Sequence, residues 1–232
     1  MDYKQISSTA LFSGCTPAQT QSILSCLKAQ TKQFHKGEIV LHAGEVVSYF
    51  GIVLSGSVTI ESDDVWGNKS ILDQAGAGQV FAETYSCLPA QPLMVSVVAA
   101  QESEILFLHT QSLLHPCSCV CQQHGILIQN LITISAQKNL NLSRRIFHTR
   151  PKSIRERLLS YLSFQAISQK SMEFEIPFNR QQLADYLSID RSALSNELSK
   201  MQKEGLLTVK RSHFLLHADS SMFFDNNICQ TP

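Results

Sequence analysis

The chain has 232 residues, is 44% hydrophobic and carries no formal net charge, so it can bury a proper core and is not read as disordered. Residues 1–10 are polar and lack the apolar stretch and small-residue cleavage site of a secretory signal, and no apolar run approaches the roughly 18 residues of a membrane span. A cytoplasmic protein is expected, with seven cysteines that serve as thiols or ligands rather than as a disulfide framework. The charges are unevenly placed. Up to Ser143 there are six Lys and Arg against ten Asp and Glu, a net of −4; residues 144–217 carry thirteen against seven, a net of +6. A basic second half suggests that this part meets a polyanion while the first half does something else.

In chain order, residues 17–31 read as a helix with Ile23, Leu24 and Leu27 on one side. Seven of the ten glycines then fall at 37, 44, 51, 56, 67, 76 and 78, between short apolar and β-branched runs. These runs are Glu38–His42, Tyr49–Leu54, Ser57–Glu61 and Ser70–Leu72, followed by Val95–Ala100 and Glu104–His109. Short strands separated by turn glycines predict a β jelly roll or barrel. From Gln122 to His148 the period changes to that of a helix. One side carries Ile126, Leu127, Leu131, Ile134, Leu140 and Phe147; another carries Ile128, Ile132, Leu142 and Ile146. Apolar residues on two sides need two neighbours, one being the barrel and the other the same helix of a second subunit. Pro151 ends this element or opens the next. An amphipathic helix is expected over Lys152–Ser168 and a short strand over Met172–Phe178.

The segment Asn179–Leu207 carries the most specific pattern. Leu183, Ala184 and Leu187 give one short helix a buried face, and the small Ala184 suits a close helix crossing. Ser188–Asp190 is a polar turn, Ile189 can plug the angle between helices, and Asp190 can cap the helix that follows. That second helix buries Leu194, Leu198 and Met201 and exposes Arg191, Ser192, Ser195, Asn196 and Lys200. Gly205 ends it, and Leu206–His217 alternates around a basic tip, Lys210-Arg211-Ser212-His213. This is a winged helix-turn-helix with a helix suited to a major groove. Arg191, Ser192, Ser195 and Asn196 are the expected base readers; Asn179, Arg180, Lys200, Lys210, Arg211, Ser212 and His213 are the expected phosphate contacts. The whole is an α+β chain: a jelly-roll domain over 1–121, a dimerisation helix over 122–150 and a DNA-binding domain over 151–232.

Jelly roll, long helix and winged helix-turn-helix resemble the cyclic-AMP receptor protein and fumarate-nitrate regulator (CRP/FNR) superfamily, over about residues 10–217. The resemblance implies a bacterial transcription regulator that binds double-stranded DNA as a homodimer on an inverted repeat, and that contacts RNA polymerase. Arg191 matches a family arginine, whereas Ser192 and Asn196 replace a usual Glu and Arg, so the operator should differ from the best-known consensus. Ser188 replaces a turn glycine. GQVFAE (Gly78–Glu83) matches the first part of the family's effector cassette and implies Glu83 at a ribose-binding position. The phosphate-binding Arg should fall near Leu93 and Met94, and neither is basic. A cyclic nucleotide is therefore not the expected effector, because a buried phosphate without a cation loses its strongest hydrogen bonds. The effector pocket is placed at Gly78, Phe81, Ala82, Glu83, Met94 and Ser96; Glu83 can equally cap a local turn.

Cys117, Cys119, Cys121 and His124, with His115 close by, can bind zinc or an iron–sulfur cluster, act as a redox switch, or simply be small buried residues. No cofactor is named by the sequence. Val46–Phe50 and the loop Ser62–Asn68, with Trp66, are candidate polymerase contacts. A rival reading keeps the barrel as a ligand- or redox-sensing interaction module with an inert helix-turn-helix. No enzyme signature is present: His42 and His109 are too isolated for a cupin-like metal site.

Overall fold

A computed structural model describes residues 1–63, 69–88, 90–115 and 122–217. The chain forms two compact units, Met1–Lys138 and Asn139–Pro232. The division falls inside the long helix, which starts at residue 122 and is therefore shared by both units.

The first unit opens with helices α1 (Tyr3–Ser7) and α2 (Pro17–Cys26). Thr16 and Gln19 form a reciprocal capping box at the start of α2, with Pro17 in its first turn. The helix ends at Cys26, shorter than the expected 17–31, and Lys28 turns left-handed at φ 49°. Gln30–Phe34 is instead strand β1, paired from Gln30 with Phe107 to Phe34 with Ser103. This correction has a tertiary cause: the partner strand lies some seventy residues away and overrides a weak local preference. The strands β2 (Ile39–Leu41), β3 (Tyr49–Ser55), β4 (Ser57–Asp63), β5 (Lys69–Gly76), β6 (Val80–Phe81), β7 (Ser96–Ala99) and β8 (Ser103–His109) follow, with short helices α3 (Glu83–Cys87) and α4 (Thr110–Leu114). They form two antiparallel sheets, ordered β1-β8-β3-β6 and β2-β7-β4-β5. That order is a jelly roll.

Burial explains the strand patterns. β3 is apolar almost throughout because its sheet is covered on both faces. Phe50, Ile52 and Leu54, with Leu106 and Leu108 of β8, pack against Leu11, Phe12, Ile23 and Leu24. Val53, Ile105 and Phe107 point the other way and meet Val58, Val97 and Ala99 of the second sheet. Helix α5 (Gln122–Thr149) supplies Leu127 and Leu131 to the first of these cores.

In the second unit, α6 (Ile154–Gln169) starts at a capping box of Ser153 and Glu156. Strand β9 (Glu173–Glu175), helices α7 (Arg180–Leu187) and α8 (Arg191–Lys203), and strands β10 (Leu207–Lys210) and β11 (His213–Leu216) complete it. The expected two-stranded wing is joined by β9 into a three-stranded sheet, β10-β11-β9. One core holds the unit: Leu158, Tyr161 and Leu162 of α6, Leu183, Ala184 and Leu187 of α7, and Leu194, Leu198 and Met201 of α8. Each buried leucine or methionine side chain contributes about 1.5–3 kcal/mol by leaving water, so the helix-turn-helix is a packed body rather than an induced one. Among the described residues, no helix is long and apolar enough to cross a membrane.

Candidate DNA-reading surface and effector cavity

The second helix of the pair is prepared at its N-terminus. Asp190 accepts from the Ser192 and Ala193 amides at 2.8 and 3.1 Å, and from the Ser192 hydroxyl. These bonds hold the Asp190 carboxyl below the usual aspartate range, with the Ser192 hydroxyl the largest cause. A depressed carboxylate stabilises the fold above its unfolded pKa, so the cap is present at neutral pH and is lost as acid reaches the lowered value. The capped end presents Arg191, Ser192, Ser195, Asn196 and Lys200, all exposed. Their availability differs. Ser192 is engaged by Asp190, and the Ser195 hydroxyl donates to the Arg191 carbonyl at 2.9 Å. Arg191 and Asn196 make no side-chain hydrogen bond or ion pair among the described residues and remain free for an outside partner.

Ser188 at the turn is left-handed, at φ 54° and ψ 52°. Glycine adopts this region without the steric cost a Cβ brings. Ser188→Gly is therefore expected to stabilise the second unit by about 0.5–1 kcal/mol, read as a higher midpoint in thermal unfolding; a lower midpoint contradicts it.

The expected phosphate contacts are partly gathered. An open groove of about 840 Å³ is lined by Asn179, Arg180, Arg211 and Ser212 together with Glu175 and Gln182. Arg211 sits at the wing tip, left-handed at φ 58°. Several of these groups also hold the fold. Asn179 caps α7, the Arg180 guanidinium lies 5.5 Å from the Phe214 ring centroid, and the Ser212 hydroxyl donates to Glu175 at 2.7 Å. Lys200 is 3.9 Å from Glu197, and His213 is 3.5 Å from Glu173. Lys210 is exposed.

Other basic residues are structural, which charge counting could not separate. Arg145 donates to the Tyr186 and Asp185 carbonyls, and Arg157 to those of Pro151, Leu187 and Ser188. Both therefore satisfy carbonyls at the end of α7. Arg155 ties α6 to α8, bonding Glu197 at 2.6 Å and Glu204 at 2.8 and 2.9 Å.

In the first unit a cavity of about 190 Å³ is lined by Phe81, Ala82, Glu83, Thr84 and Tyr85, by Ile60, Leu93, Val95 and Val97, and by Lys138. Met94 and Ser96 lie outside the lining because alternate residues of an extended segment face opposite ways. Met94 is 75% exposed, and Ser96 accepts from the Ala43 amide. Gly78 is in the turn before β6, where its amide donates to Val53. Phe81 lies over Gly51 of the adjacent strand, and a Cβ there would overlap the ring.

Lys138 was not anticipated. Its ammonium donates to the Glu83 carboxylate at 2.8 Å and to the Val80 carbonyl at 2.7 Å. A cation therefore does stand beside Glu83, delivered by α5 rather than by the strand cassette. Glu83 is 5% exposed in its side chain and begins α3, and its carboxylate is held by the ion pair with Lys138.

Cys117, Cys119 and Cys121, and the loop residues 64–68 with Trp66, lie outside the described residues. His124 is described: it is buried, and neither ring nitrogen has a partner among the described residues.

A jelly roll carrying a small cavity, followed by a long helix and a winged helix-turn-helix, defines a regulator with a sensor-like domain and a DNA-binding domain. The comparisons agree. The family model of the cyclic nucleotide-binding domain matches residues 31–118, and that of the Crp-like helix-turn-helix domain matches residues 156–219. Together these span about two thirds of the chain, which belongs to the CRP/FNR family of DNA-binding transcription regulators. Among solved structures, CprK complexed with OCPA superposes with a TM-score of 0.63 at 16% identity, over 84% of this chain and 91% of CprK. A cyclic nucleotide-binding domain from Methylobacillus flagellatus KT gives a TM-score of 0.52 at 16% identity, over 62% of this chain and 80% of that one. The catabolite activator protein of Thermus thermophilus is 20% identical over 94% of this chain and 99% of its own, with a TM-score of 0.49. At these identities the first two superpositions speak for the fold alone. No curated protein sequence matches significantly.

Proposed function

We propose that the protein is a cytoplasmic, non-enzymatic regulator that binds an inverted-repeat operator as a homodimer and whose effector is not a cyclic nucleotide. The observation that carries the DNA reading is the capped N-terminus of α8, with Arg191 and Asn196 exposed and unengaged. Arg191 reads guanine in the major groove, Asn196 and the two serines read neighbouring bases, and the groove at Arg180 and Arg211 takes the phosphate backbone. The dimer is supported by Ile132, Leu142 and Ile146, which share one side of α5 and are all more than half exposed. A second copy of α5 covers such a stripe.

The effector reading is supported by three features. Leu93 and Met94 supply no cation, the cation present is already bonded to Glu83 and Val80, and the cavity lies below the roughly 300–1,000 Å³ usual for small-molecule sites. Cyclic AMP and cyclic GMP are expected to give no heat in titration calorimetry at millimolar concentration. RNA polymerase is the expected protein partner.

Selection of bound DNA from a random pool tests the whole reading and should return a two-fold symmetric site. Arg191→Ala should then cost about 1–3 kcal/mol of discrimination per half-site at one base position, while binding to unrelated DNA is unchanged. A pool that yields no enriched sequence at low salt rejects the proposal in favour of an interaction module.

A further inference from the structure

The second unit contains a cavity that DNA reading does not use. It measures about 300 Å³ and is lined by Asn141 and Arg144 of α5, Tyr161, Phe164 and Gln165 of α6, Pro177 and Phe178 before α7, and Tyr186 of α7. Four of the eight lining residues are aromatic. Tyr161, Phe178 and Tyr186 form a mutual cluster with ring centroids 5.1–6.0 Å apart, so they hold one another in place. Arg144 lies with its guanidinium 5.5 Å from the Phe164 centroid. That stacking orients the group; one N–H donates to the Asn141 side-chain oxygen at 3.5 Å, and the others have no partner among the described residues.

Two further observations point to a ligand. Tyr161 lines this cavity and is 2% exposed, and its buried hydroxyl has no hydrogen-bond partner among the described residues. Buried polar groups in native folds are nearly always paired, so an orphaned hydroxyl on a residue that lines a cavity asks for an acceptor. The lining also contains a cation and no carboxylate. An anion is favoured there and a cation is not.

We infer that this cavity binds a compact aromatic carboxylate of one or two rings, with the ring among Phe164, Phe178 and Tyr186, the carboxylate on Arg144, and an acceptor oxygen taking the Tyr161 hydroxyl proton in a hydrogen bond. The site is separate from the Glu83–Lys138 cavity and lies wholly within the unit that carries the helix-turn-helix. Its test does not depend on DNA.

Benzoate, 4-hydroxybenzoate and indole-3-carboxylate are offered to the full chain at millimolar concentration, and binding is followed by ligand-observed NMR and equilibrium dialysis. All three, or the best fitting of them, should bind. Cyclohexanecarboxylate, which lacks the ring, and benzyl alcohol, which lacks the charge, should bind at least about tenfold more weakly. Arg144→Gln should lose about tenfold or more in affinity, as expected for a charge-assisted contact. Tyr161→Phe should weaken binding by several-fold without lowering the melting temperature, because the hydroxyl it removes is unpaired in the free protein. Lys138→Met should leave binding intact. No binding by any aromatic probe overturns the inference, as does binding that survives Arg144→Gln. Binding abolished by Lys138→Met instead assigns the ligand to the first unit's cavity and overturns it equally.

Discussion

Replacing Leu142 and Ile146 together by glutamate is expected to yield a folded monomer whose affinity for an inverted-repeat operator falls by roughly 10²–10⁴. Both side chains are nearly 60% exposed, so the charges meet water in the single chain and leave its cores untouched. In the proposed dimer the same carboxylates would be trapped against the apolar side of the partner helix, a cost of several kcal/mol per buried ion. Two linked reading heads gain from the second binding event being intramolecular, and a monomer forfeits that gain without losing a base contact. Sedimentation, circular dichroism and a gel shift on the selected operator measure the three parts of this outcome. A variant that still sediments as a dimer refutes the proposed interface.

The second large effect is expected at Lys138. Lys138→Met leaves the buried Glu83 carboxylate without its cation and the Val80 carbonyl without a donor. Breaking a fully buried pair typically costs about 3–5 kcal/mol, and because the lysine side chain is 43% exposed the loss here should be smaller, about 1–3 kcal/mol. Adding Glu83→Gln should restore most of the loss, since a neutral amide no longer needs the ammonium. Calorimetry that resolves the two units is the appropriate measurement, because two separate cores need not unfold together. If the single variant melts with the wild type, the ion pair carries no stability. If the double variant is worse than the single one, Glu83 has another partner.

The helix-turn-helix was legible because its determinants are close in sequence. Asp190 caps residues two and three positions on, Leu194, Leu198 and Met201 recur at helical spacing, and Gly205 closes the helix at φ 74°. The same local arithmetic gave α5 and α6 nearly to their ends. It did not tell which charges of the basic half are free. Arg145, Arg155 and Arg157 add to the positive count, yet the fold engages them with its own carbonyls and carboxylates. Net charge records what a chain contains, not which charges face outward.

Elsewhere the sequence was silent. Strand β1 looks like the end of a helix until Ser103–Phe107 lies beside it. Met94 and Ser96 looked like pocket residues until strand parity turned them away and brought Leu93, Val95 and Val97 inward. The sequence by itself determined the jelly-roll and winged-helix classes, and the exposed face of α8, because caps, turns and periodic apolar positions act over a few residues. Only the tertiary structure decided which cation meets Glu83 across fifty-five positions of sequence, and which aromatic side chains enclose the cavity beside Tyr161. Those contacts are set by the closing of packed layers, and no spacing within a single element encodes them.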